Sequence, residues 1–254
     1  MRQKERIVID MTKINDASRG FLGDAPDPDR YGHSFDPNGA SGIICQMVPP
    51  KSRVLDVGCG NGSLAEILQT RCCADVFGIE PDAARAAMAR ARGIQVLTGF
   101  LDGNLAKTIG LFDILLFADV LEHVPDPFEL IQDALRCLKP EGSLIVSVPN
   151  IAHWSVRKMI CFGRFDYAPF GIMDATHLRW FTKRSIVAFL NRAGLEAIDV
   201  RSSSGTSLSA YRRWPWAWMP KALVWHLAVW LSRLWPTMFG CQTIVRAARV
   251  RDRA

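Results

Sequence analysis

The sequence contains no Cys-x-x-Cys pair, and its seven cysteines are an odd number scattered between Cys45 and Cys241. That spacing suggests neither a zinc site nor a disulfide framework, so no metal is expected and a reducing, cytoplasmic setting is. The first residues lack an apolar core of signal-peptide length, and no export is expected. No segment repeats at a period of about 20–50 residues, which excludes a solenoid. Excess positive charge is missing from the main body. From Tyr211 onward there are eight Lys or Arg against one acid, so that stretch carries +7 and residues 1–210 about −1. A nucleic-acid partner is not expected from a body so nearly neutral. The basic tail either meets an anionic surface or only aids solubility.

What is present fits one α/β unit. The chain has 254 residues, 49% apolar and 22% charged, enough for a large domain with a core. Residues 1–37 show no sustained periodicity and read as an N-terminal arm, with a turn-rich stretch at Asp24-Ala25-Pro26-Asp27-Pro28-Asp29. A short helix is expected over 39–47, stopped by Pro49-Pro50. Strands at 53–57, 75–79, 95–98, 112–117 and 143–148 then alternate with helices at 62–70, 82–92 and 127–138. A helix at 183–193, a strand at 196–201 and a last strand at 243–250 follow. Strands and helices alternating in this way predict a mostly parallel sheet with helices on both faces.

The first strand runs into Val54-Leu55-Asp56-Val57-Gly58-Cys59-Gly60-Asn61-Gly62, a glycine-rich strand-to-helix loop. Glycines let backbone turn tightly and approach a ligand, and the helix that follows offers free N–H groups. Such a loop alone is shared by many nucleotide sites. Three details narrow it. The spacing is GxGxG, with Ser63 where a dinucleotide site would carry its third glycine. Asp56 stands two residues before the first glycine, poorly placed for a pyrophosphate but suited to a ligand carrying an ammonium and a sulfonium. Glu80 ends the second strand, 24 residues after Asp56, where an acid can accept from ribose hydroxyls. A nicotinamide oxidoreductase is disfavoured by that spacing and by the absence of a recognisable hydride-transfer dyad.

With Gly78-Ile79-Glu80-Pro81-Asp82, Leu121-Glu122-His123-Val124-Pro125-Asp126-Pro127 and Leu138-Lys139-Pro140-Glu141-Gly142, the loop makes four ordered motifs. In these the stretch from Val54 to about Thr182 resembles a class I S-adenosylmethionine-dependent methyltransferase. It is similar to the bacterial branch containing the ubiquinone-biosynthesis O-methyltransferases. The resemblance implies a Rossmann-like seven-stranded sheet, mostly parallel with an antiparallel last strand. It implies S-adenosylmethionine as cofactor, with Asp56, Gly58 and Gly60 at its methionine part, Glu80 at the ribose and Leu101 beside the adenine. Asp119 and Val120 would border it after the fourth strand. One departure stands out: Gly99 is followed by Phe100 where many relatives carry an acid for the adenine amino group, and the nearest acid is Asp102.

The acceptor side is less determined. His123 could be a general base, or it could cap or support its loop. A second cluster, Asp174-Ala175-Thr176-His177-Leu178-Arg179, lies in residues 151–182, expected to fold over the sheet's carboxyl edge as a substrate cap. There His177 could be a base and Arg179 an anion clamp, or the cluster could be a structural knot with Asp174 capping a turn and Arg179 paired to an acid. Residues 211–238 hold six of the eight tryptophans. On a helix over 221–234, Leu223, Val224, Leu227, Trp230, Leu231 and Leu234 share a face. The uncharged run 222–232 is 11 residues, short of the roughly 20 a bilayer span needs. Tryptophan with Lys and Arg suits a membrane interface; the alternatives are packing on the domain, a share in the acceptor pocket, or a dimer contact.

The expectation is therefore an S-adenosylmethionine-dependent methyltransferase acting, most often at oxygen, on a small or lipid- or sugar-linked acceptor. Its domain would run over 38–254, in the cytoplasm or peripheral at the inner face of the membrane. The alternative is a non-catalytic S-adenosylmethionine-binding or scaffold protein of the same fold.

Overall fold

The computed structural model describes residues 33–205, 209–212 and 216–250. The arm before His33, its turn-rich stretch included, lies outside the described residues, as do 206–208 and 213–215 of the tryptophan-rich region. Seven strands form one sheet in the order β3-β2-β1-β4-β5-β7-β6. They are β1 (Arg53–Val57), β2 (Asp75–Glu80), β3 (Gln95–Thr98), β4 (Phe112–Ala118), β5 (Leu138–Pro149), β6 (Leu195–Ser204) and β7 (Gly240–Arg249). β1 to β5 run parallel. β7 lies antiparallel between β5 and β6. The expected antiparallel last strand is thus present, and it inserts into the sheet instead of lying at its edge.

The sheet is covered on both faces because its central strands are apolar at successive residues, which point to opposite sides. Leu55, Leu115, Phe117 and Leu144 join one core, with Ile131 of α4 (Pro127–Ala134) and Ile186 and Leu190 of α6 (Lys183–Arg192). Val54, Ile114, Leu116 and Ile145 join the other. That second core takes Ile44 from α1 (Ala40–Met47), Leu64 and Leu68 from α2 (Ser63–Cys72) and Ala89 from α3 (Ala83–Ala91). Residues 33–37, assigned to the arm from sequence, and Asn38 after them are fastened to this body. His33 donates its N–H to Ser63 Oγ at 2.6 Å, and the Asn38 carbonyl accepts from the Ser204 N–H at 2.9 Å.

Three elements differ from expectation. The helix predicted over 127–138 is α-helical only to Ala134 and tightens to a 3₁₀ turn at Leu135–Cys137. Pro140 disfavours helical backbone at Lys139, so the chain is extended from Leu138 onward and β5 begins before the Lys-Pro-Glu-Gly turn. The cap contains a helix that periodicity did not reveal, α5 (Trp154–Cys161), which buries only Val156 and is capped by the His153 side chain accepting from the Ser155 N–H. Finally, α7 (Lys221–Leu234) has the predicted bounds, and the face it packs on the domain is not the one that its large apolar residues share. It packs through Val224, Ala228, Val229 and Ser232, and leaves Leu223, Trp230 and Leu234 outside. Small side chains let the helix approach the domain closely, and the Ser232 hydroxyl is satisfied within the helix by donating to the Val229 carbonyl at 2.8 Å.

Gly62 sits where the glycine loop enters α2. Its φ is +78°, and a Cβ there would lie 2.9 Å from the Ala89 Cα of α3. Left-handed strain and backbone overlap together cost about 2–5 kcal/mol. Gly62→Ala should lower the unfolding free energy by that amount in a urea titration; a loss under about 0.5 kcal/mol would mean that α2 and α3 shift apart freely.

Candidate functional site

The ends of β1 and β2 and the glycine loop form one hydrogen-bonded unit. The N–H groups of Gly58 and Cys59 donate to the Ile79 carbonyl at 2.7 and 3.2 Å. The Glu80 carboxylate then accepts from the Gly60 N–H at 2.9 Å and the Asp82 N–H at 3.0 Å, so one buried side chain fixes both the loop and the turn into α3. Burial pushes the Glu80 carboxyl up, against the pull of those two N–H groups. Gly58 and Gly60 both have positive φ, for different uses. A Cβ on Gly58 would stand 2.7 Å from a Val120 methyl, so Val120 closes down on the loop. A Cβ on Gly60 would meet nothing within 4 Å, so open space faces the loop there.

Asp56 is 2% exposed, and its Oδ2 has no hydrogen-bond partner. Burial, then the Glu80 charge, pushes its carboxyl up to about 7. A buried acceptor left without a donor fits a ligand that brings one, as an ammonium does. Leu101 is buried in the core, while Phe100 beside it is exposed. Asp102 accepts from the Asn104 and Leu105 N–H groups at 3.0 and 2.8 Å, so its carboxylate shapes the turn after β3.

The second half of the site follows β4. Asp119 holds a left-handed φ of 55°. Gln242 of β7 donates through Nε2 to both its carboxylate oxygens, at 2.6 and 2.7 Å. Burial raises the Asp119 carboxyl to about 6, and these hydrogen bonds oppose the rise. Glu122 is fully buried with its carboxyl against that of Asp119, and among the described residues neither oxygen meets a hydroxyl or cationic side-chain donor. Burial, and then the Asp119 charge, drives its carboxyl well above the usual range.

The cap closes on this end of β4. The Leu178 N–H donates to the Glu122 carbonyl at 2.8 Å, and Arg179 donates to the Pro125 carbonyl. The structure thus engages Arg179 as a brace between cap and loop, on a carbonyl and not an acid. His123 Nδ1 lies 3.3 Å from the Thr176 carbonyl oxygen and 3.2 Å from Thr176 Oγ1. His177 Nδ1 lies 3.2 Å from the Ile172 carbonyl oxygen. A ring nitrogen facing a carbonyl carries the hydrogen, so in both rings the lone pair belongs to Nε2. The rings meet edge to face with centroids 4.8 Å apart. Burial, then the neighbouring His177, lowers the His123 imidazole to about 4, so it is neutral across the physiological range. Asp174 caps its turn, accepting from the Thr176 N–H and hydroxyl at 2.9 and 2.7 Å.

The structure therefore brings His123 and His177 together, although 53 residues separate the loop from the cap's Thr176 that holds it. Glu122, His123 and His177 place one ligand atom each within 4.8 Å of one another, a set that could hold a divalent ion. No metal-ligand spacing announced it, because the third member comes from the cap. Gln242 and Asn150 were also missed. Asn150 donates through Nδ2 to the Gly240 and Thr237 carbonyls at 2.8 and 3.2 Å, tying the start of the cap to β7. A lone polar residue at a strand end carries no signal for a partner about 90 residues away.

Comparison with known proteins agrees with this geometry. A family model described as a methyltransferase domain matches residues 33–200. A ubiquinone biosynthesis O-methyltransferase of Xanthomonas axonopodis pv. citri (strain 306) is 31% identical over 184 residues, 70% of this chain and 76% of that protein. A protein of the same name from Xanthomonas campestris pv. campestris (strain B100) is 32% identical over 133 residues, 50% of this chain and 55% of that one, so there the chain spans about half its relative's length. Among solved structures, the magnesium protoporphyrin IX methyltransferase of Synechocystis PCC 6803, with bound SAH, superposes with a TM-score of 0.56. It is 18% identical, over 95% of this chain and 100% of that one, a likeness of fold. None of these favours the non-catalytic alternative.

A raised carboxyl favours the folded state below its unfolded value, and that advantage is lost as pH rises through the folded value, here about 7. Asp56→Asn should therefore raise the melting temperature of the ligand-free protein at about pH 8 by a few degrees, by less at about pH 5, and not at all below about pH 4. The same variant should bind S-adenosylmethionine at least about tenfold more weakly, since a charge-assisted bond is removed. Thermal melts at the two pH values and calorimetric titration read both effects; unchanged affinity would remove Asp56 from the donor site.

Proposed function

The chain belongs to the methyltransferase-domain family and is an S-adenosylmethionine-dependent methyltransferase; from that premise we propose that it methylates an oxygen of a small or lipid- or sugar-linked acceptor seated between the loop after β4 and the cap. The observation that carries this is the neutral His123 ring, held by Thr176 with its lone-pair nitrogen on Nε2, at the end of β4. That is the edge at which ligands bind in open α/β sheets. The names of the Xanthomonas relatives support oxygen as the methylated atom.

In this proposal Asp56 accepts from the donor's ammonium, Gly58 and Gly60 let the backbone approach its methionine part, and Glu80 takes the ribose hydroxyls. Leu101 lies on the adenine side, and Asp119 and Val120 close the donor from the β4 end. Bound S-adenosylmethionine supplies an activated methyl group on a sulfonium. The protein's share is alignment and one proton. His123 Nε2 would take the hydroxyl proton as the acceptor oxygen accepts a methyl group, and the bound donor would supply that methyl from its sulfonium, which becomes a neutral thioether. A base of low pKa suffices because the hydroxyl becomes acidic only as the O–CH3 bond forms. His177 positions the His123 ring, and Arg179 holds the cap against the loop.

The 4.8 Å cluster of Glu122, His123 and His177 favours one second reading. A divalent cation held there would draw the proton off Glu122, fill the place of its missing donors and make the acceptor hydroxyl more acidic.

With a hydroxyl acceptor found by screening quinol, sugar and lipid fractions, His123→Ala should lower kcat by about 10²–10⁴ and change donor affinity less than about threefold. Enzyme treated with a chelator keeps its rate if His123 acts alone as base, and loses it until Mg²⁺, Mn²⁺ or Zn²⁺ is restored if the cluster holds a metal. Full activity in His123→Ala without a metal requirement would overturn both.

A further inference from the structure

The helix α7 is turned the unusual way round. Its buried face is made of Val224, Ala228, Val229 and Ser232. Its large apolar residues point outward: Leu223 is 50%, Trp230 56% and Leu234 65% exposed. These stand at helix positions i, i+7 and i+11, with half-buried Leu227 at i+4, so they form one stripe along the outer side. The stripe is bracketed by Trp218, 86% exposed, and by Trp235 just past the helix end. Lys221 opens the helix, and Arg233 in its last turn donates to the Asn38 side chain at 3.0 Å. Between Tyr211 and Val250 there is no Asp or Glu.

We infer that α7 lies in the interface of an anionic membrane, with the stripe of Leu223, Leu227, Trp230 and Leu234 set among the acyl chains and the acid-free basic segment around it, Lys221 included, at the headgroups. The chemistry selects a lipid surface over the other occupants. Tryptophan is the side chain suited to the boundary between headgroup and hydrocarbon, and here it brackets and centres the stripe. A segment with cations and no acid is attracted to anionic lipid. A second copy of the chain is disfavoured by the same feature, because a twofold contact through α7 would bring like charges together with no carboxylate between them. The helix runs about 21 Å at 14 residues, which suits lying on a surface. Among the described residues no helix is long and apolar enough to cross a membrane.

The docking has a consequence for the site. The inner side of α7 meets Trp154, Tyr211 and Trp216. Trp154 belongs to α5 of the cap, 5.8 Å from the Tyr211 ring and 6.1 Å from Trp216 between centroids. A helix set into the headgroups therefore holds the cap one aromatic layer from the lipid, and an acceptor drawn from the membrane need travel only the thickness of the cap. This last step rests on the acceptor being lipid-linked; the docking itself does not.

Co-sedimentation of the full chain with phosphatidylcholine vesicles, with and without phosphatidylglycerol, tests it. The wild type should pellet with the anionic vesicles, less as salt is raised, and only weakly with the neutral ones. A chain carrying Leu223→Ser, Trp230→Ser and Leu234→Ser should partition at least about tenfold less, while its melting temperature and S-adenosylmethionine affinity stay those of the wild type. Lys221→Gln should lower the preference for anionic lipid. Equal partition of wild type and triple variant would overturn the docking. So would a wild-type dimer in sedimentation velocity that the triple variant abolishes, which would assign the stripe to a second copy. Donor affinity and turnover of a water-soluble acceptor, read on the same samples, test the catalytic proposal separately.

Discussion

Four carboxyl groups, Asp56, Glu80, Asp119 and Glu122, are drawn out of water along the ends of β1, β2 and β4, and the rest of the site is arranged around that constraint. Each is raised, by burial first. Glu80 has the Gly60 and Asp82 N–H groups, and Asp119 has Gln242 and the Glu122 carboxyl. Among the described residues Asp56 keeps one oxygen without a donor. An unpaired buried acceptor costs free energy that the two cores beneath the sheet must offset. In the proposed function that cost is met when the donor's ammonium reaches Asp56.

The donor half was legible in sequence because every contact that builds it is local to one strand-loop-helix unit or its neighbour. A buried parallel strand reads as a short apolar run, and β1 to β4 appear within a residue or so of where those runs lie. Glycine reports positive φ directly, and Gly58, Gly60 and Gly62 all adopt it. Glu80 is placed by the length of the strand that carries it. Even the displaced adenine acid has a local reason, since Asp102 is occupied by the turn that starts at Asn104.

The acceptor half was not legible, because its contacts join segments far apart. His123 meets Thr176 and His177 of the cap, Asp119 meets Gln242 of β7, and Asn150 meets Gly240. None of these pairs has a spacing that could be read in advance. α7 was legible in part. Its residues plot as amphipathic on a helical wheel, and the wheel correctly gives the helix, but which face goes inward depends on how closely the helix must approach the domain. Val224, Ala228 and Ser232 permit close approach where Leu223 and Trp230 would not, so the smaller side chains went in and the larger stayed out.

β7 connects these two outcomes. It pairs with β5 on one side and β6 on the other, so the chain after α7 must return into the middle of the sheet's far half. That return delivers Gln242 to Asp119, and through Asn150 it fixes where the cap begins. The tryptophan-rich excursion between β6 and β7 is therefore anchored at both ends to strands that shape the acceptor side. A force on α7, from lipid or any other surface, is carried to Asp119 by one strand and to the cap by the contact of Trp154 with Tyr211. The glycine loop lies on the other side of β4, held to β2 by its own hydrogen bonds, and it meets the end of that path where Val120, next to Asp119, closes on Gly58.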